Sequence, residues 1–224
     1  DWSPDSKWFT LTFTTNRHYP YDDIGIVSAS GDMKIHNITN SGYIDGSPQW
    51  VMDGNAVIFI SDRLGMRSHA SWGSQNDVYI AFMNRQAYEE FNMSEEEHAL
   101  YKEKKEAAEK AEKEAEEAKA AKGSKGKKGK KDNAPEEDDA KASKDIVIAL
   151  DGLEDRVVRL TPMSSNLAGA AMTSDGETLY FLSSFEKGLD LWQLEPRTGS
   201  ISLLKKGMSY GSLVWGKDEK TLYI

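Results

Sequence analysis

The sequence predicts an all-β fold: a partial β-propeller of four-stranded antiparallel blades, about three and a half of them, carrying a long charged insertion that is partly helical or disordered. The first observation behind this is a repeat. An aspartate stands three residues after a large apolar residue at Trp2/Asp5, Trp50/Asp53, Met172/Asp175 and Trp215/Asp218. The residues four and six beyond each aspartate are apolar in every copy: Phe9/Leu11, Val57/Phe59, Leu179/Phe181 and Leu222/Ile224. The second observation is spacing. Asp5 and Asp53 lie 48 residues apart and Asp175 and Asp218 lie 43 apart, and a blade takes about 40 to 50 residues. The remaining interval, 122 residues from Asp53 to Asp175, holds one blade plus an insertion. Third, the apolar runs between anchors are short and alternate, whereas helical repeats of similar length would show a 3.6-residue period.

Each unit supplies its strands in order. In the third unit the candidates are Ala168 to Met172, Thr178 to Leu182, Leu189 to Leu194 and Ser200 to Leu204. Asp175-Gly176 lies between the first two, and Asp53-Gly54 holds the same place in the second unit; such pairs accept φ > 0 and close tight hairpins. Asp23-Ile24, Asp77-Val78 and Asp190-Leu191 open the third strand of their units. Between second and third strands run loops rich in turn formers, Thr14 to Asp22 and Asp62 to Asn76. Blades therefore occupy 1–85 and 145–224, with the insertion at 86–144.

That insertion holds 17 acidic residues and 14 lysines from Gln86 to Lys144 and no tryptophan, a composition that buries too little apolar surface to offset chain entropy. It is expected to lie outside any core. Glu106-Lys110-Glu114 and Glu109-Lys113-Glu117 form i,i+4 ladders among alanines, so a helix is expected over roughly Glu95 to Ala121. Beyond it, Gly123 to Lys131 alternates glycine and serine with lysine, and Asp132 to Asp139 is acidic around Pro135, which predicts a flexible, solvated excursion. Seven lysines between Lys119 and Lys131 raise nucleic-acid binding as a reading. Flanking acidic blocks, the absence of stacking aromatics and a chain charge of −9 favour a solvated polyampholyte and no nucleic-acid partner.

Several function classes are excluded by composition. With no cysteine there is no disulfide, thiol catalysis or cysteine zinc site. No apolar run approaches the roughly 20 residues of a membrane span, so no membrane insertion is expected. His18, His36, His69 and His98 are scattered without H-x-x-x-H or H-x-H spacing, so no metal and no cofactor is expected. The chain starts inside one repeat and stops inside another, and is read as a fragment.

Trp2-Ser3-Pro4-Asp5-Ser6 and Ile58-Phe59-Ile60-Ser61-Asp62-Arg63 resemble the WSPDG and I-F-x-S-D-R repeats of TolB-like propellers. The run from Ile148 through Leu150-Asp151-Gly152-Leu153-Glu154-Asp155-Arg156 to Thr161-Pro162 resembles a segment of tricorn-type proteases, members of the tail-specific serine peptidase family that also carry a charged insertion just before it. Met172-Thr173-Ser174-Asp175 and Trp215-Gly216-Lys217-Asp218 depart from the WSPD form. The resemblance implies a parent serine peptidase acting on peptides or unfolded chains. Its propellers precede PDZ and catalytic domains, and the parent is a possible homo-oligomer. This segment would be noncatalytic, filtering, channelling or docking substrate. A TolB-like protein-binding scaffold and the propeller of an α/β-hydrolase oligopeptidase are the alternatives, and fold alone does not choose among them. The family occurs in both periplasm and cytoplasm, so compartment stays open.

Gly207-Met208-Ser209-Tyr210-Gly211 matches the G-x-S-x-G nucleophile elbow, which requires a strand before it and a helix after. Ser212 to Trp215 reads as a strand, so no catalytic residue is expected here, and Ser209 is assigned to a glycine-permitted crossing between blades. A binding site is expected where the loops between second and third strands share one mouth of the ring. There Arg17, His18, Tyr19, Arg63, Arg67, His69 and Trp72 combine cations with aromatics able to grip a peptide carboxylate or side chain.

Overall fold

The computed structural model describes residues 1–15, 21–67, 75–123, 145–185, 187–209, 211–216 and 220–224, with backbone alone at 109 and 112–123. The chain divides into two units, Asp1–Asn92 together with Ser143–Ile224, and Met93–Ala142.

The first unit is an arc of antiparallel sheets in chain order. Blade 1 is β1 (Trp8–Thr14), β2 (Asp22–Ser28) and β3 (Ile35–Asn37), with Trp2 bridging Phe9 where an inner strand belongs. Blade 2 is β4 (Asp45–Val51), β5 (Ala56–Ser61), β6 (Asp77–Phe82) and β7 (Val157–Arg159). Blade 3 is β8 (Asn166–Met172), β9 (Leu179–Ser184), β10 (Leu189–Glu195) and β11 (Ser200–Met208). A two-stranded sheet, β12 (Val214–Trp215) with β13 (Leu222–Tyr223), begins a fourth. Predicted strand positions in blade 3 hold to within a few residues, and the outer strand runs on to Met208.

Blades stack face to face because their middle strands are apolar on both sides. All six residues of β6 are buried, as are five of six in β5. Alternation sends Ile58, Ile80 and Phe82 toward Met172, Leu179 and Phe181 of blade 3. Val57, Phe59, Tyr79 and Ala81 face Ile24, Ile26 and Ile38 of blade 1. A third core joins Ala171, Leu182 and Leu191 to Leu213, with Trp215 packed against it. The first strands of adjacent blades are also tied directly. The Gln49 amide donates to the Ala170 carbonyl at 3.1 Å, Trp215 Nε1 to the Met172 carbonyl at 2.7 Å, and the Trp50 N–H to the Asp1 carboxylate at 3.0 Å.

The repeated aspartate has a local job. In blade 1 the Ser3 hydroxyl donates to Asp5 at 2.6 Å, the Lys7 N–H to Asp5 at 3.1 Å and the Trp8 N–H to Ser3 Oγ at 2.9 Å. Blade 3 repeats the motif with Thr173, Asp175, Glu177 and Thr178 at 2.6, 3.0 and 3.0 Å. Serine in WSPD and threonine in MTSD are thus equivalent, which explains why the departure in blade 3 leaves the hairpin intact. Blade 2 has Val51 where the hydroxyl would stand, and turns instead through three left-handed residues, Met52, Asp53 and Gly54, at φ of 54°, 52° and 84°.

The start of the charged stretch departs from expectation. Arg85–Phe91 forms a helix, α1, with Ala87 buried and Tyr88 and Phe91 packed on the Phe82 ring at centroid distances of 5.7 and 4.9 Å. Net composition concealed it, because the two aromatics and the alanine share one face while the charges lie on the other. Asn84 caps the helix by accepting from the Ala87 N–H at 2.9 Å. Arg197 closes its far end, donating to the Glu90 and Phe91 carbonyls at 3.2 and 3.1 Å while paired with Glu177. In the second unit, α2 spans Glu95–Gly123 behind a Ser94/Glu97 capping box, matching the predicted helix. The lysine-rich and acidic runs from 124 onward lie outside the described residues.

Candidate functional site

The end of the blades where third strands begin carries a band of buried carboxylates. Asp23, Asp45, Asp62 and Asp77 are each no more than 2% exposed. Antiparallel register places Asp45, Ser61 and Asp77 in one row across β4, β5 and β6, with Phe59, Tyr79 and Arg159 in the next row of β5 to β7. Residues in register share a face, and this one looks toward blade 1.

Asp77 accepts from Arg159 at 2.8 Å, from Thr161 Oγ1 at 2.8 Å and from Ser164 Oγ at 2.7 Å, so the aspartate that opens the third strand captures the crossing to the next blade. Asp23 does the same in blade 1 through Asn37 Nδ2 at 2.6 Å and the Ser41 N–H at 3.1 Å. Asp190 accepts from the Gly207 N–H at 2.9 Å. Ser41 then passes its hydroxyl to Asp45 at 2.7 Å, joining blade 1 to blade 2.

Of the predicted mouth residues, Arg63 and Arg67 lie in described chain. Arg17, His18, Tyr19, His69 and Trp72 lie outside the described residues. The Arg63 guanidinium lies over the Tyr79 and Phe59 rings at 4.7 and 5.3 Å, donates from Nε to Ser61 Oγ at 3.0 Å and pairs with Asp45 at 2.9 Å. The S-D-R signature therefore works as a brace: its serine and arginine lock to each other, and Asp62 accepts from the Ile44 N–H at 3.0 Å. Arg67 stacks on Tyr43 at 4.8 Å and stands 3.7 Å from Asp62.

The network is incompletely satisfied. Asp45 Oδ1, the Tyr79 hydroxyl and Arg159 Nε are buried without a hydrogen-bond partner, and all three belong to the blade-1 face described above. Burial pushes the Tyr79 hydroxyl up to about 12, and the Asp77 carboxylate adds to the shift. At Asp5 burial works upward, but the Ser3 hydroxyl, two backbone N–H groups and the Lys7 charge outweigh it and hold the carboxyl below its usual range.

Sequence reading missed Arg156. Buried at 9% exposure, it donates to the carbonyls of Phe82 (3.3 Å), Asp151 (3.1 Å), Gly152 (2.9 Å) and Ala149, and so organises the return from the insertion. An arginine closing the acidic, glycine-containing run Leu150 to Asp155 was the available signal. Ser41, Asp45 and Arg159 were missed as well, since single polar residues at strand ends carry no pattern of their own.

Ser209 is exposed, and the chain beyond it enters β12 instead of a helix. Among the described residues no group of three or more histidine, aspartate or glutamate side chains converges as for a metal ion, and no helix is long and apolar enough to cross a membrane. A cavity of about 120 Å³ lies between the inner strands of blades 2 and 3, with Ser47 and Ser212 at its rim and Ile58, Val78 and Leu213 on its floor.

These features define an arc of β-propeller blades, a scaffold whose polar network fixes loop ends and blade crossings. Its fold is shared with TolB from Acinetobacter baumannii, at TM-score 0.54 and 15% identity over 99% of this chain and 35% of that one. It is also shared with the tricorn protease, at TM-score 0.54 and 10% identity over 99% of this chain and 19% of that one. No family model and no curated protein matches the sequence.

Proposed function

We propose that this chain is the noncatalytic propeller portion of a tricorn-like serine peptidase, and that it filters, channels or docks peptide substrates for a catalytic domain. The observation that carries the reading is the state of the inner strands. β4 and β8 are edges of their sheets and line the inside of the arc, where an extended chain could run beside them. The Ile148 to Pro162 run, built around Arg156, supports the tricorn-like over the purely TolB-like alternative by its resemblance.

The test is a peptidase assay on the full-length protein and on this chain side by side, using a fluorogenic unstructured peptide. Turnover is expected only in the full-length protein, and a serine-directed fluorophosphonate should abolish it. No turnover by the full-length protein, or turnover by this chain alone, contradicts the proposal. A second reading, docking of a folded protein partner, is favoured by Leu64, Met66 and Met163, which are 62%, 68% and 56% exposed on loops at the same end of blade 2.

A further inference from the structure

Two irregularities in the inner strands coincide in space. In β4 the register with β5 slips between Gly46 and Gln49, and in β8 the register with β9 slips between Leu167 and Gly169. Both slips are β-bulges, which take residues out of the one-to-one ladder and re-aim them. Ser47 sits in its bulge at a φ of 54°, a left-handed conformation that a non-glycine residue adopts at a cost. Both bulges border the same cavity, since Ser47 lines it from β4 and Ala168 and Gly169 line it from β8.

One tie between blades borders this place: Gln49 donates to the Ala170 carbonyl, and both residues line the cavity. Trp215 to Met172 fastens the next pair of inner strands beyond it. Among the described residues no hydrogen bond between blades engages 46–48 or 167–169. Here, then, two sheet edges lie free of cross-blade ties beside a side-chain-sized hole. An open strand edge for main-chain pairing and an adjacent pocket for a side chain are the two components of recognition by strand addition.

We propose that this cavity is a subsite for an extended peptide bound along the inner strand edge, and that it takes one aliphatic side chain of three or four carbons. The inference rests on the peptide-handling reading above and names its specificity. Size sets the scale, because a cavity of roughly 150 Å³ holds a benzene ring and this one, at about 120 Å³, is a little smaller. Chemistry sets the class. The floor of Ile58, Val78 and Leu213 is buried and apolar, and the exposed serines at the rim suit a peptide backbone. Among the described residues no charged side chain lines the cavity, so an acidic or basic substrate side chain would lose its hydration without compensation.

Gly169 gives the means of testing this. A Cβ there would stand 3.7 Å from the Gly211 carbonyl oxygen and 3.8 Å from the Leu213 nitrogen, ordinary contact distances, so Gly169→Val fills the cavity without forcing the backbone. Ser212→Leu obstructs the same cavity from the exposed rim and guards against a folding defect in the first variant. The full-length protein is titrated with dye-labelled peptides Gly-Ser-Gly-X-Gly-Ser-Gly by fluorescence anisotropy. Affinity is expected to rise about fourfold per added carbon from X = Gly through Ala and Val to Leu, and to fall for Trp and Asp. Both variants should flatten the series. A flat series in the unsubstituted protein, or a series that survives in either variant at unchanged melting temperature, overturns the subsite and leaves peptide handling standing. If no peptide binds at all, peptide handling falls and the subsite with it.

Discussion

Tyr79 offers the most quantitative handle on the buried network. Its ring packs on Phe59 and the Arg63 guanidinium lies over both rings, the residue is 4% exposed, and its hydroxyl has no partner. Replacing it with phenylalanine keeps the ring and removes the orphaned group. A buried hydroxyl without a hydrogen bond costs about 1 to 3 kcal/mol, so Tyr79→Phe should be as stable as the parent at pH 8 or more stable by about 1 kcal/mol. Alkali gives a second, independent signature. Folding raises this pKa from 10.0 to about 12, so below pH 10 folded and unfolded forms both hold the proton and the tyrosine adds no pH dependence. Between 10 and 12 the unfolded chain releases it while the folded chain does not, and stability falls with rising pH. At about 1.4 kcal/mol per unit, the loss across that window is about 2 to 3 kcal/mol. Urea unfolding of the two proteins at half-unit pH steps from 8 to about 11.5 measures it. The gap between parent and variant should widen steadily above pH 10. A variant less stable at pH 8 by more than about 1 kcal/mol, or a gap that does not change with pH, would refute the reasoning and show that the hydroxyl is satisfied in solution.

Asp77→Ala should destabilise by about 3 to 5 kcal/mol in the same urea assay, because it strips three partners and leaves the Arg159 charge without its carboxylate. Asp5→Ala, at an exposed hairpin, should cost nearer 1 kcal/mol. Arg197→Ala removes the closure of α1, and hydrogen exchange at Ala87 to Asn92 should accelerate at least tenfold while amides of β5 and β6 keep their protection. Because the Asp5 carboxyl is held below its usual range, the stability it adds is present above about pH 4 and is lost as pH falls through its folded value. Asp5→Asn should remove that acid dependence, as acid titration of tryptophan fluorescence would reveal.

How far the sequence could be read follows from what each feature depends on. Blade order and strand positions were legible because a blade squeezed between two others needs apolar residues on both faces of its middle strands, and runs such as Val57 to Ile60 announce that locally. The equivalence of Ser3-Asp5 and Thr173-Asp175 was half visible: the aspartates stood out, while the hydroxyl that completes each turn changes identity. Helix α1 was hidden because a count over 86–144 averages buried Ala87 and half-buried Tyr88 and Phe91 into a charged background. The carboxylate row is a property of register. Asp45, Ser61 and Asp77 are distant in sequence and meet only when three strands align, so pattern along the chain could not disclose it. Arg63 reads in sequence as a loop arginine next to a strand, and its contacts with Asp45 and two aromatic rings are legible only in the folded chain.

The account stands on successive sheets packing around a common inner edge, and a crystal structure of the full-length protein tests that most directly. It should place β4, β8 and β12 side by side in that order, with Gln49 donating to the Ala170 carbonyl and Trp215 to the Met172 carbonyl, and with β3, β7 and β11 at the outside. Sheets of blades 2 and 3 packed as a closed sandwich, or inner strands separated by another element, would contradict it.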